Sequence, residues 1–153
     1  MGLDMYLTAS KYVGGWEHTP DEERESFRQV LSAINMQESV VTEGAPALDV
    51  KINIGYWRKA NAIHNWFVQN TQGGKDECQP SYVARNQLAE LKDLCIKAIA
   101  TKDTKELQPK QGFFFGTYEI DDYYWADLRE TIDIVSKALA LNDTYGFEYR
   151  ASW

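Results

Sequence analysis

Tyr56-Trp57-Arg58-Lys59-Ala60-Asn61-Ala62-Ile63-His64-Asn65-Trp66-Phe67 is the stretch on which the reading of this chain turns. Twelve positions hold four aromatic residues, one His, two cations and two Asn. Taken as a helix, running from about Trp57 to Asn70, the segment divides into two faces. Tyr56, Ala60, Ile63 and Phe67 follow the 3.6-residue period and form an apolar stripe, with Trp66 at its edge. Arg58, Asn61, His64 and Asn65 gather on another face. A core helix has no need of that second stripe, whereas a site for an anionic or hydrogen-bonding ligand does. Thr71-Gln72-Gly73-Gly74 closes the helix, and the two glycines permit loop 71–82 to be either fixed or a lid.

Working outward, residues 47–55 alternate as a strand, with Leu48, Val50, Ile52 and Ile54 on one face. Residues 2–12 alternate too: Leu3, Met5 and Leu7 point to a core, and Asp4, Tyr6 and Thr8 away from it. Between these strands, Thr19, Pro20 and Glu22 suggest an N-cap, a first helical position and a capping box. The stripe that follows is Phe27, Val30, Leu31 and Ile34. Residues 37–46 form a connection, with a short extended piece at Val40-Val41. Downstream lie a polar loop at Lys75–Pro80 and an amphipathic helix at 83–100 with Leu88, Leu91, Leu94, Cys95, Ala98 and Ile99 inward. A polar stretch at 101–111 leads into Gly112-Phe113-Phe114-Phe115-Gly116. The last long helix starts near Asp121-Asp122, whose carboxylates suit its N-terminus. It buries Trp125, Leu128, Ile132, Val135 and Leu139. A closing strand follows at 145–152. This order predicts one α+β domain over residues 1–153, with a small, mainly antiparallel sheet covered by about four helices.

Composition narrows the function. The chain has 153 residues, 44% of them hydrophobic, which is ample for one real core and too many for a disordered chain. A net charge of −7 disfavours nucleic-acid polymers and anionic membranes as partners. It leaves room for a small anion, because a few local cations can dominate a pocket. No signal peptide and no membrane span is expected. Gly2 starts a myristoylation-like pattern, but Tyr6 stands where Ser or Thr is required. Cys78 and Cys95 fit reduced thiols, so a cytoplasmic protein is expected. No metal-ligand spacing, phosphate loop, nucleophile elbow or dinucleotide fingerprint is present, and no cofactor is expected.

The candidate site residues are Asp4, Tyr6, Trp57, Arg58, Asn61, His64, Phe114 and Tyr123. Arg58 and Lys59, placed at a helix N-terminus, would favour an anion. His64 could hold a phosphate or act as acid or base, with Asp4 orienting it; the bland alternative is a hydrogen-bonded His at the core edge. Neither His64 nor His18 is followed by the His-x-Thr/Ser pattern of a two-His phosphodiesterase. Asp4 could equally pair with Arg58 or Lys51. At least one of Phe113–Phe115 should be free to stack on a base. Asp121, Asp122, Tyr123 and Tyr124 could coordinate a cation or hydrogen-bond a ligand, though helix capping explains the two Asp more simply.

Met-Gly-Leu-Asp-Met-Tyr-Leu at residues 1–7, the Tyr56–Phe67 run, Gly-Phe-Phe-Phe-Gly at 112–116 and Phe-Glu-Tyr-Arg-Ala-Ser-Trp at 147–153 resemble a family of small proteins. Its members are encoded by bacteriophages and prophage regions of bacteria. The resemblance extends over most of the chain apart from 13–46. It implies a bacterial host cytoplasm and, by analogy with counter-defence proteins, a sponge. Such a protein holds a cyclic nucleotide or ADP-ribose-type immune signal without turnover, and an oligomer is compatible with it. Trp57 or Phe114 would stack, Arg58 would meet phosphate, and Asn61 and Asp4 would meet sugar hydroxyls. Two other classes stand beside this one: an enzyme cleaving such a nucleotide through His64, and a protein-binding inhibitor of a host defence protein.

Overall fold

The computed structural model describes residues 2–41, 44, 46–112 and 118–153. Their order is β1 (Asp4–Gly14), α1 (Asp21–Ala33), a single 3-10 turn (Glu38–Val40), β2 (Ala47–Arg58), α2 (Asn61–Thr71), β3 (Ser81–Val83), α3 (Arg85–Thr101), α4 (Asp122–Ala140) and β4 (Gly146–Ser152). The strands form one antiparallel sheet in the order β2-β1-β4-β3. Ser81, Tyr82 and Val83 of β3 face Tyr149, Glu148 and Phe147 of β4. This is the α+β class that the alternation of periods predicts.

Contacts gather the chain into two compact units, and β1 and β2 contribute residues to both. The larger unit comprises Met1–Ala9 and Ile52–Trp153. Its core is built from period-2 and period-3.6 stripes meeting face to face. Leu3, Met5 and Leu7 of β1 are fully buried, as are Leu88 and Leu91 of α3 and Leu128 and Val135 of α4. Phe147, Tyr149 and Ala151 supply the inward face of β4. At about 1.5–3 kcal/mol per large apolar side chain removed from water, this cluster dominates the stability of the unit.

The smaller unit, Ser10–Lys51, has its own cluster of Val13, Phe27 and Leu31, with Val41, Leu48 and Val50 packed against it. Its helix α1 begins one residue later than the sequence suggests. Pro20 is the N-cap and no side chain caps it. Pro20 is extended there (ψ 143°), so Thr19 lies too far back to reach the first turn. Glu23, rather than Glu22, turns back and accepts the Gly14 N–H at 2.7 Å. Ile34 ends up exposed, and Val40 lies in the 3-10 turn instead of an extended piece.

The decisive correction concerns Tyr56–Arg58. These residues finish β2 and do not begin a helix. Alternation lapses at Lys51, Ile52 and Asn53, all exposed, and returns at the end of the strand: Gly55 and Trp57 are buried, Tyr56 and Arg58 are exposed. Gly55 is required by close approach, since a Cβ there would stand 2.4 Å from Ile134 Cγ2 on α4. Trp57 Nε1 donates to Thr131 Oγ1 on the same helix at 3.0 Å. Lys59 N–H still donates to Leu3 C=O at 2.8 Å, extending the ladder. Lys59 then adopts φ 59°, and this single left-handed residue turns the chain into α2. The stripe Tyr56–Ala60–Ile63–Phe67 therefore does not exist as one helix face. Ala62, Ile63, Trp66, Phe67 and Val68 are the apolar residues that α2 buries.

Candidate functional site

The turn at Lys59 places two cations at the mouth of a helix. Arg58 and Lys59 end β2, and Asn61 and Ala62 open α2. Facing them are Pro109, Glu119 and the first turns of α4, represented by Tyr123, Tyr124 and Asp127. Together these residues line a pocket of about 310 Å³ within the larger unit. The Asn61 N–H is taken by Lys59 C=O at 2.8 Å, and the positive end of the α2 dipole adds to the two cations.

Each wall has a local cause. Asp121 caps α4 by accepting the Tyr124 N–H at 3.0 Å, as its position in the sequence suggests. That cap fixes the register that turns Tyr124 inward, where its hydroxyl donates to Leu107 C=O at 3.0 Å. Burial pushes the Tyr124 phenol up to about 12. Tyr123, one position earlier, is 77% exposed and stands at the rim. Asn61 is 3% exposed and grips a passing segment: its amide donates to Lys110 C=O and its carbonyl accepts Lys110 N–H, both at 2.8 Å. That clamp holds the segment containing Pro109 against α2. Asp127 lies half-buried on the α4 wall. Burial, then Glu130, then Asp121 raise its carboxyl to about 7.

His64 belongs to a different structure. It is 1% exposed, and both ring nitrogens are engaged, Nδ1 with the Tyr149 hydroxyl at 2.7 Å and Nε2 with Asp76 Oδ2 at 2.9 Å. Trp153 Nε1 donates to the other Asp76 oxygen at 3.2 Å. Tyr149 in turn stacks on Phe67, with ring centroids 3.9 Å apart. This node ties α2, β4 and the loop after α2 together. Burial lowers the imidazole pKa, outweighing the opposing pull of Asp76. The cavity beside it, about 20 Å³, has no room for a substrate. Asn65 likewise serves the fold, donating to Gln108 C=O at 3.0 Å.

Of the expected site residues, Arg58, Asn61 and Tyr123 come together at the pocket. Asp4 does not orient His64. It accepts the Tyr56 hydroxyl at 2.5 Å and pairs with Arg58 at 3.8 Å. The hydrogen bond to Asp4 raises the Tyr56 pKa. Trp57, 1% exposed, is core and offers no face for stacking. Tyr6 lies elsewhere, beside Tyr56 and along a cleft shared with Thr8, Asn53, Glu148 and Arg150. Phe114, with Phe113 and Phe115, falls outside the described residues. Tyr124, which the sequence also offered as a ligand contact, lines the pocket as well, whereas sequence reasoning did not single out Glu119 or Asp127. Asp127 did leave a trace: its neighbours three and four positions away are Tyr123, Tyr124, Glu130 and Thr131, so no cation shares its helix face.

Among the described residues, no cluster of three or more His, Cys, Asp or Glu side chains is placed to hold a metal ion. Among the same residues, no helix is long and apolar enough to cross a membrane. Comparison with protein-family profiles, with curated proteins and with solved structures gave no match.

Proposed function

We propose that the protein is a non-catalytic binder of a nucleotide-like anion, held in the pocket of Arg58, Lys59, Asn61 and Tyr123. The observation that carries this reading is the composition of that pocket. In an acidic chain, two adjacent cations and a helix N-terminus share one cavity with an exposed tyrosine ring and two carboxyl side chains. The cations and amides suit phosphate. The Tyr123 ring suits a base. Glu119 and Asp127 suit hydroxyl or N–H donors. A cavity of about 310 Å³ lies at the lower end of the range for small-molecule sites.

The position of the imidazole supports holding rather than converting. His64 has both nitrogens occupied and is sealed from the pocket's ligand space. With the resemblance to phage and prophage proteins, this favours a counter-defence sponge for a cyclic nucleotide or an ADP-ribose-type immune signal. A second reading, turnover of the same ligand, draws on Asp127 alone, whose carboxyl titrates near neutrality inside the pocket.

Native mass spectrometry tests both readings. The protein is incubated with a panel of cyclic dinucleotides, cyclic oligonucleotides and ADP-ribose derivatives, then denatured, and the released molecule is identified. The sponge predicts stoichiometric, intact ligand. An altered product selects the enzyme. No adduct from the whole panel refutes both and leaves the inhibitor of a host protein.

A further inference from the structure

The α4 wall of the pocket carries a feature that phosphate binding does not use. Asp127 is half-buried there, and its carboxylate has no hydrogen-bond or ion-pair partner among the described residues. A carboxylate partly withdrawn from water, with no partner among the described residues, carries a desolvation cost. The cost is offset when a ligand supplies the missing donors.

Resting on the binding function proposed above, we infer that Asp127 is the base-selecting residue of the pocket and that it takes the paired N–H edge of a guanine-type base. The chemistry discriminates among bases by their donors. A carboxylate has acceptors only, so it pairs in bidentate fashion with two adjacent donors. Guanine presents an N1–H beside its 2-amino group. Adenine and cytosine present one donor beside one acceptor, and uracil presents a single donor between two acceptors. Tyr123, four residues before Asp127 on the same helix face, provides the stacking surface beside that edge. Arg58 and Lys59 complete the ligand's anionic end.

The charged and titratable groups around Asp127 give this arrangement a pH response. Glu130 and Asp121 belong to α4 and its cap, and with burial they keep the Asp127 carboxyl near neutrality. Glu119, Tyr123, Tyr124, Arg58 and Lys59 line the remaining walls. Protonation of Asp127 converts two acceptors into one donor and one acceptor, which matches adenine. Base preference therefore moves from guanine toward adenine as pH falls through about 7.

The test is calorimetric titration with guanosine, inosine and adenosine 5′-monophosphates at pH 8 and pH 5.5. At pH 8 the protein is expected to bind the guanosine nucleotide at least about 10-fold more tightly than the other two. At pH 5.5 the adenosine nucleotide should gain on it. Asp127→Asn, whose amide presents one donor and one acceptor, should favour adenosine at both pH values. Asp127→Ala should lose preference without reversing it. His64→Gln, which removes the buried imidazole on α2, should leave the pH response intact. Equal binding of guanosine and inosine nucleotides, or an unchanged preference in Asp127→Asn, overturns the inference. If binding in that case still requires Arg58, the anion-binding function stands. If no nucleotide binds, or Arg58→Ala binds as well as the parent, both fail.

Discussion

Helix α2 serves two polar regions that differ in one respect: whether the protein satisfies its own polar groups. At the His64 node, the imidazole, the Tyr149 hydroxyl and Asp76 satisfy one another, and the adjoining cavity is close to the volume of a single water. At the pocket lined by Arg58, Lys59, Asn61 and Asp127, Asn61 is satisfied by Lys110, but the Asp127 carboxyl is not satisfied by any described residue. Residue type does not separate the two regions, since both mix acids, bases and aromatics. Partnering does. A closed network fixes the fold, whereas unmet donors and acceptors around an open volume are available to a ligand.

The largest expected effect comes from the core, where Trp57 packs against Phe67 and bonds Thr131 of α4. Trp57→Ala should cost about 3–5 kcal/mol of folding stability through the cavity beside Thr131 and α4. Urea denaturation checks this. A loss below about 1 kcal/mol would return Trp57 to the list of ligand contacts.

Next comes the closed region. His64→Phe keeps the ring volume but leaves the Tyr149 hydroxyl and Asp76 without their partner, at a cost of about 2–3 kcal/mol. The pH dependence has a definite sign. The folded-state pKa of His64 lies below its unfolded value, so the unfolded chain binds the extra proton first. The contribution is fully present above about 6.5 and is lost as pH falls below it. Denaturation midpoints of the parent should therefore drop between pH 7.5 and 5.5, and His64→Phe should drop less. A variant that kept the full slope would assign the titration elsewhere.

The open region responds through binding. Arg58→Ala should weaken anion binding by about 10-fold or more, while stability changes by less than about 0.5 kcal/mol, because the Arg58 side chain is 62% exposed and its pairing with Asp4 is long, at 3.8 Å. Equal losses of binding and stability would make Arg58 a structural residue. The smallest effect is Asp127→Asn without ligand. The Asp127 pKa is raised in the fold, so its desolvation cost is felt above about 7 and relieved as pH falls toward the ordinary carboxylate range. The variant should be more stable than the parent by on the order of 1 kcal/mol at pH 8, after allowance for solvent screening, with the gap closing by pH 5. Thermal melts at the two pH values measure the gap, and a variant less stable than the parent at pH 8 would contradict it.

Most of the larger unit was legible because its periods are unambiguous. Leu3, Met5 and Leu7 alternate over enough residues to fix a strand, and the stripes of α3 and α4 are long. The misreading fell where both periods fit. Trp57 is apolar on either scheme, and the left-handed turn sits on Lys59, a residue type that does not announce it. Strand β3, with three residues, is too short to display alternation. At the site, Arg58, Asn61 and Tyr123 were visible as residue types. The clamp on Lys110 and the Asp76 partner of His64 depend on contacts between segments 12 to 49 residues apart. Asp127 resembles any helix-surface acid until α4 is packed.

The most direct test of the division between the two regions compares ligand capture by three forms of the protein. The parent, Arg58→Ala and His64→Gln are each incubated with the same panel of cyclic nucleotides and ADP-ribose derivatives and examined by native mass spectrometry. The expected result is an adduct of intact ligand on the parent and on His64→Gln, and its loss from Arg58→Ala. An adduct that survives in Arg58→Ala and disappears in His64→Gln would contradict the account and place the ligand at the imidazole.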